Sequence, residues 1–266
     1  MPLSKINKYN NKKIRYFNKG TLSVKTILYI IMSLCFSIPS INIVAIENAH
    51  FYDAQTTLRM YQMLKDVHEL LTLKKIPYWA DFGTMLGAIR HKGIIPWDDD
   101  MDISIDRSQA LQVEALAPLL HKLGYGLVPF FFGYKIFPLD GEPYIHEGKE
   151  YNFTTPYLDI FLTFVEDNKV FYTSPSWGNR GDLKLYKTLD ELFPLKDYTF
   201  GSFTVKGPRD PSLYFNAFYG NNWYTTAKVR SIHPNKEIAG KTFILQPKDR
   251  IPAMPVEPLQ DRCKNI

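Results

Sequence analysis

The stretch Trp97-Asp98-Asp99-Asp100-Met101-Asp102-Ile103-Ser104-Ile105-Asp106 restricts the fold more than any other part of the chain. Asp98, Asp100, Asp102, Ser104 and Asp106 share one parity, and Met101, Ile103 and Ile105 share the other. A period of two predicts a strand over 97–105 with carboxylates on one face and apolar side chains on the opposite face. Same-face neighbours on a strand lie about 6.6 Å apart. Two bare carboxylates at that spacing repel by roughly 2.5 kcal/mol at an effective dielectric of 20. A half-apolar strand that accepts this cost either holds a cation or forms a solvated acidic edge.

The residues just before that strand suggest what it faces. Tyr78 to Asp81 reads as a short strand, Phe82-Gly83-Thr84 as a turn, the residues to about His91 as a helix, and Lys92 to Pro96 as a loop. A glycine at a strand-to-helix turn lets backbone N–H groups face an anion, and the helix N-terminus adds favourable partial charge. Arg90, His91 and Lys92 bring positive charge close to the acidic strand. Gly83, Thr84, Arg90, His91 and Lys92 are therefore candidate contacts to a diphosphate. The plainer alternative for the three basic residues is a surface cluster opposing the helix dipole.

Asp159 is the only charge within Tyr157 to Val165, an apolar run typical of a strand buried on both faces. Desolvating an unpaired carboxylate costs several kcal/mol, so Asp159 needs a partner. One possibility is a Lys or Arg; the sharper one is a place beside Asp100 and Asp102 on a neighbouring strand. Three carboxylates could then hold Mg²⁺ or Mn²⁺, hard ions that prefer oxygen ligands. Asp100, Asp102 and Asp159 are the candidate catalytic residues, and with Asp98 the candidate metal ligands.

Helical spacing marks 54–75, 107–123 and 210–219, and a strand and its hairpin mate are expected over 156–165 and 169–173. Residues 126–138 read as aromatic short strands, 203–206 as a strand, and the residues after Tyr224 as a wrapping tail. The chain has no G-x-S-x-G elbow, no G-x-x-x-x-G-K-[ST] loop and no H-E-x-x-H helix. Its two cysteines, Cys35 and Cys263, make neither a disulfide framework nor a zinc set.

Net charge is +5, yet seven of the 32 basic residues precede the first acid, Glu47; the remaining 25 face 27 acids, a net of −2. The body is thus no basic nucleic-acid binder, and no nucleic-acid partner is expected. Thr26 to Ile46 is apolar apart from Pro39, Ser40 and Asn42, and is just long enough to span a bilayer. Basic residues ahead of such a run predict a cytoplasmic arm (1–25), an uncleaved anchor (26–46) and a body (51–266) in the lumen or periplasm. A cleaved signal that frees the body is the alternative.

FGTMLGAIRHKGIIPWDDDMDISI resembles the signature of the LicD family, which includes bacterial phosphocholine transferases and the fukutin and fukutin-related ribitol-phosphate transferases. Leu158-Asp159-Ile160-Phe161 is similar to that family's downstream aspartate motif, and Phe218-Tyr219-Gly220-Asn221-Asn222-Trp223 to its Tyr-Gly-x-x-Trp element. The resemblance implies an α+β, nucleotidyltransferase-like fold: a mixed β-sheet flanked by helices behind a single N-terminal membrane or signal segment. It implies transfer of a phospho-substituent from a CDP-linked donor to a hydroxyl of a glycan or glycolipid acceptor. By matching motif, Asp100 and Asp102 become metal ligands, Asp159 the third acid, and Asp98 the first acid of the alternating triplet. Residues 126–152 match no motif, and acceptor selection is expected there. Two rival functions are a sugar-nucleotide glycosyltransferase, which the Gly-Thr turn disfavours, and a membrane-tethered glycan-binding module, which would not need Asp159.

Overall fold

Asp53 starts the first helix, α1 (Ala54–Leu73), its carboxylate accepting the Thr56 N–H at 2.7 Å. Met60, Leu64, Val67 and Leu71 recur at helical spacing and are buried, as the sequence predicts. The structure, a computed structural model, describes residues 46, 49–174, 188–230 and 233–266. The basic arm, the apolar segment except Ile46, and Cys35 lie outside the described residues. Among those described, no helix is long and apolar enough to cross a membrane.

After α1 come β1 (Trp79–Ala80), α2 (Phe82–Arg90) and β2 (Met101–Asp106). The expected helix over 107–123 is broken into a 3-10 turn, Arg107–Gln109, then α3 (Ala110–Glu114) and α4 (Ala117–Lys122). Pro118 is the reason: it lacks an N–H and its ring blocks the carbonyl of Glu114, so no single helix runs through. Two hairpins follow, β3 (Tyr125–Phe130) with β4 (Gly133–Pro138), then β5 (Glu142–His146) with β6 (Lys149–Thr155). The expected hairpin is present as β7 (Leu158–Glu166) and β8 (Lys169–Tyr172). The remaining elements are α5 (Leu189–Leu192), the β9–β10 hairpin (Lys196–Phe200, Phe203–Gly207), α6 (Ser212–Tyr219), and the β11–β12 pair (Thr226–Lys228, Thr242–Ile244).

The main sheet has six strands in the order β1-β2-β7-β4-β3, with β8 pairing β7 beyond the end of β4. It is mixed: β2 and β7 are parallel and the other pairs antiparallel. Ile103, Ile105, Leu158 and Ile160 are fully buried in its core, which is why these strands read as apolar runs. The wrapping tail is present and clasps α1. Tyr61 donates to the Ala253 carbonyl at 2.8 Å, Lys65 pairs with Asp261 at 2.9 Å, and Arg262 with Asp66 at 3.2 Å.

One correction bears on the site. The acidic strand begins at Met101, so Asp98, Asp99 and Asp100 sit in the loop entering it. Strict alternation would have driven Asp99 into the apolar face. Leaving the ladder lets its carboxylate reach Arg230 at 2.8 Å, while the Asp98 N–H closes a turn on the Ile95 carbonyl at 3.0 Å.

Candidate active site

Register builds the centre. Asp102 of β2 lies directly beside Asp159 of the parallel β7, and Asp159 lies directly opposite Lys135 of the antiparallel β4. Cross-strand neighbours share a face, so three strands deliver two carboxylates and one ammonium in a row. Asp100, one residue before β2, completes a set with Asp102 and Asp159 whose carboxylate oxygens lie within 4.8 Å of one another. Asp98 groups instead with Asp99 and Asp100.

Asp159 satisfies both alternatives left open by its sequence. It joins the carboxylate set, and Lys135 Nζ stands 2.6 Å from its Oδ1. Burial pushes the Asp159 carboxyl up to about 7 against the opposing pull of Lys135, and burial with Asp99 pushes Asp100 up to about 6. Asp102 is held well above the usual carboxylate range by burial, then by Asp100 and Asp159. Burial is the main cause of these raised values, and the neighbouring carboxylates add to it against the opposing pull of Lys135 and Arg230. An all-oxygen donor set of that kind fits a hard divalent cation.

The turn before α2 serves this cluster. Asp81 caps the helix, its carboxylate accepting from the Phe82 N–H at 2.9 Å, Ser104 Oγ at 2.5 Å and the Tyr172 hydroxyl at 2.6 Å. Phe82 adopts a left-handed backbone, φ 36°, a conformation that costs about 1–3 kcal/mol in a non-glycine residue. Its ring is set among Phe161, Tyr172 and Phe218, with centroids 4.8–5.3 Å away, which offsets that cost. The kink aims the Gly83 N–H at Asp102 Oδ2, 3.3 Å away. A Cβ at position 83 would stand 2.3 Å from Asp98 Oδ2, so any larger residue would push that carboxylate aside. The anion facing this helix N-terminus is therefore the protein's own aspartate. Thr84 holds Asp102 by its main chain instead, its hydroxyl accepting the Asp102 N–H at 2.7 Å.

The three consecutive basic residues part company. Arg90 lines the cavity and donates to the carbonyls of Trp223 and Thr226, both at 2.8 Å, tying down the segment that carries Trp223. His91 is 1% exposed, with burial pushing its imidazole down to about 3, and so stays neutral inside the fold. Lys92 is exposed and does not line the cavity. The other lysine and arginine residues on the cavity wall are Lys135, Lys228 and Arg230. Arg230 bridges Asp99 at 2.8 Å and Asp100 at 3.5 Å, while its side chain stays 53% exposed, within reach of an incoming anion. Lys135 had a signal in the sequence, a lone charge in an aromatic strand; Arg230 had none.

These groups open into one cavity of about 870 Å³, large enough for a nucleotide-linked donor. Asp98, Asp100, Asp102 and Asp159 lie on its wall with Gly83. Tyr219 and Trp223, from the third motif, line it as well.

Residues 75–210 match the family model described as LicD/FKTN/FKRP, nucleotidyltransferase domain. Protein RP689 of Rickettsia prowazekii is 37% identical over 216 residues, covering 79% of this chain and 74% of its own length. The lipopolysaccharide cholinephosphotransferase LicD of Haemophilus influenzae is 47% identical over 58 residues, 20% of this chain and 22% of that protein. The ribitol-5-phosphate transferase FKTN of Macaca fascicularis is 29% identical over 195 residues, 67% of this chain and 37% of that protein. The chain thus matches well under half the length of either named transferase.

Proposed function

The chain belongs to the LicD family of phosphotransferases, and from that membership we propose that it moves a substituted phosphate from a CDP-linked donor to a hydroxyl of a glycan or glycolipid. The observation that carries this reading is the set Asp100, Asp102 and Asp159 on the wall of a cavity with Arg230 at its edge. Asp100, Asp102 and Asp159 would hold Mg²⁺ or Mn²⁺, which supplies charge neutralisation at phosphate oxygens. Arg230 and Lys228 meet the donor's diphosphate, and Arg90 keeps the cavity wall in place around it. The acceptor oxygen forms the new bond to the distal phosphorus as the P–O bond to CMP breaks. The hydroxyl proton passes to the Asp159 carboxylate, which Lys135 holds in position. Positioning and charge stabilisation do most of the work in phosphoryl transfer, so little covalent chemistry is asked of the side chains.

The released nucleotide tests the reading. The full chain in detergent, with a divalent metal and glycan extracted from its source cells, should release CMP from CDP-choline, CDP-ribitol or CDP-glycerol. CDP as product would indicate glycosyl transfer, and pyrophosphate nucleotidyl transfer; either refutes the assignment. The membrane is the second part of the proposal. The basic arm remains cytoplasmic, the apolar segment anchors the chain, and the body faces the lumen or periplasm. A C-terminal tag in sealed vesicles should resist external protease; cleavage from the cytoplasmic side would overturn that topology.

A further inference from the structure

Lys135 is the only charged residue in the run 125–137 and is 4% exposed. Lysine is rarely buried so far without a partner. One side of its ammonium meets Asp159 at 2.6 Å. The other sides are aromatic: Nζ stands 3.8 Å from the ring centroid of Tyr157, 4.8 Å from those of Phe130 and Phe153, and 5.3 Å from that of Phe132. Ring faces carry negative charge, and several of them around a cation form the kind of cage that seats quaternary ammonium groups such as choline. Here the seat is filled by the chain's own side chain. Lys135 and all four rings line the same cavity as Asp100, Asp102 and Asp159. Phe130, Phe132 and Lys135 lie outside the three short motifs read from the sequence, within the 75–210 span of the family model.

We propose that Lys135 determines donor specificity: by occupying the cation seat beside the reacting carboxylates, it excludes a quaternary-ammonium substituent and selects a neutral, hydroxyl-bearing one, an alditol or glycerol phosphate. The proposal rests on the transferase reading above. Two physical effects drive the exclusion. A second cation in the cage would face the Lys135 ammonium at short range inside a desolvated pocket, where like charges repel strongly. The seat is also full, because the Lys135 ammonium already stands among the four rings, 3.8–5.3 Å from their centroids. Hydroxyl groups meet neither obstacle. A neutral hydroxyl has no charge to be repelled by Lys135 and no need of the aromatic seat.

Two measurements on the full chain test this. In the first, tetramethylammonium chloride is titrated by calorimetry into the wild type, Lys135→Ala, which opens the cage, and Lys135→Gln, which removes the charge while keeping a donor for Asp159. The wild type should show no saturable binding and Lys135→Ala should show it. Saturable binding to the wild type, or none to any folded form, overturns the proposal. In the second, CMP release is compared among CDP-choline, CDP-ribitol and CDP-glycerol. The wild type should favour an alditol or glycerol donor over CDP-choline by at least about tenfold, and Lys135→Ala or Lys135→Gln should shift the ratio toward choline by a similar factor. Equal or better use of CDP-choline by the wild type overturns the proposal. CMP release from none of the three donors counts against the transferase reading instead, and the tetramethylammonium titration still decides the cage.

Discussion

Asp102→Asn should make the metal-free protein more stable and abolish transfer. The carboxylate of Asp102 has an oxygen within 4.8 Å of those of Asp100 and Asp159. At an effective dielectric of 20, each such pair of full charges repels by about 3.5 kcal/mol. The cluster does not bear all of that, because burial first of all pushes its carboxyls toward the protonated form: Asp102 well above the usual carboxylate range, Asp159 to about 7 and Asp100 to about 6. The net gain on removing one charge should therefore be about 2 kcal/mol. Asparagine keeps an oxygen to accept the Gly83 N–H, and the backbone bond to Thr84 is untouched, so local geometry has no reason to change. For a domain of this size, 1 kcal/mol corresponds to about 2–4 °C in melting temperature, so the variant should melt about 4–8 °C higher in EDTA. Saturating Mg²⁺ at about a hundred times its dissociation constant should stabilise the wild type by about 2.7 kcal/mol, and Asp102→Asn by much less. Thermal melts with EDTA and with Mg²⁺ measure both effects. A variant that melts lower than wild type in EDTA, or that keeps the full Mg²⁺ shift, would refute the crowded-carboxylate account.

Asp159→Asn, chemically the same change, should act in the opposite direction: it leaves Lys135 buried without its counter-charge, at a cost of about 3–5 kcal/mol measured by urea unfolding. A stabilised Asp159→Asn would show that Lys135 does not depend on this carboxylate. His91 gives a pH prediction. Burial, then the nearby Arg90, lowers its folded value to about 3, whereas an unfolded imidazole titrates near 6.5. Below pH 6.5 the unfolded chain therefore binds the extra proton, and stability contributed by His91 is lost as pH falls, by about 2 kcal/mol between pH 7 and 5. His91→Phe, which retains the ring against Trp97, should remove that part of the slope in urea unfolding at pH 7, 6 and 5; an unchanged slope would mean that His91 protonates freely in the fold.

The carboxylate centre was largely legible in the sequence, because a strand has a strict side-chain period. Asp102 and the lone Asp159 each had to share a face with their strand mates, and the parallel pairing of β2 with β7 set them side by side. The same parity failed once it was extended past the end of the strand. Asp98 to Asp100 obey loop geometry, where Arg230, 130 residues downstream of Asp100, decides what a carboxylate faces. The break at Pro118 was legible too, since proline within a helical pattern is a local signal.

The basic residues show the opposite limit. Arg90, His91 and Lys92 are contiguous, and contiguity suggested a shared ligand. Successive helical residues are rotated by about 100°, and beyond the last one, Arg90, the chain leaves the helix, with Lys92 at φ 66°. Three in a row therefore face three directions: Arg90 toward the cavity wall, His91 into the core, Lys92 into solvent. Lys135 is the instructive contrast. Its strand, Gly133–Pro138, is apolar and aromatic except for that one charge, the same signal that drew attention to Asp159. Two lone charges of opposite sign in two buried strands are each other's most economical partner, since pairing them satisfies both at the cost of one desolvated site. The antiparallel register of β4 on β7 places them directly opposite, with Nζ 2.6 Å from the carboxylate. A lone charge in a buried strand is thus evidence for a second one elsewhere in the sheet, and here that second charge is also the residue that fills the cation seat.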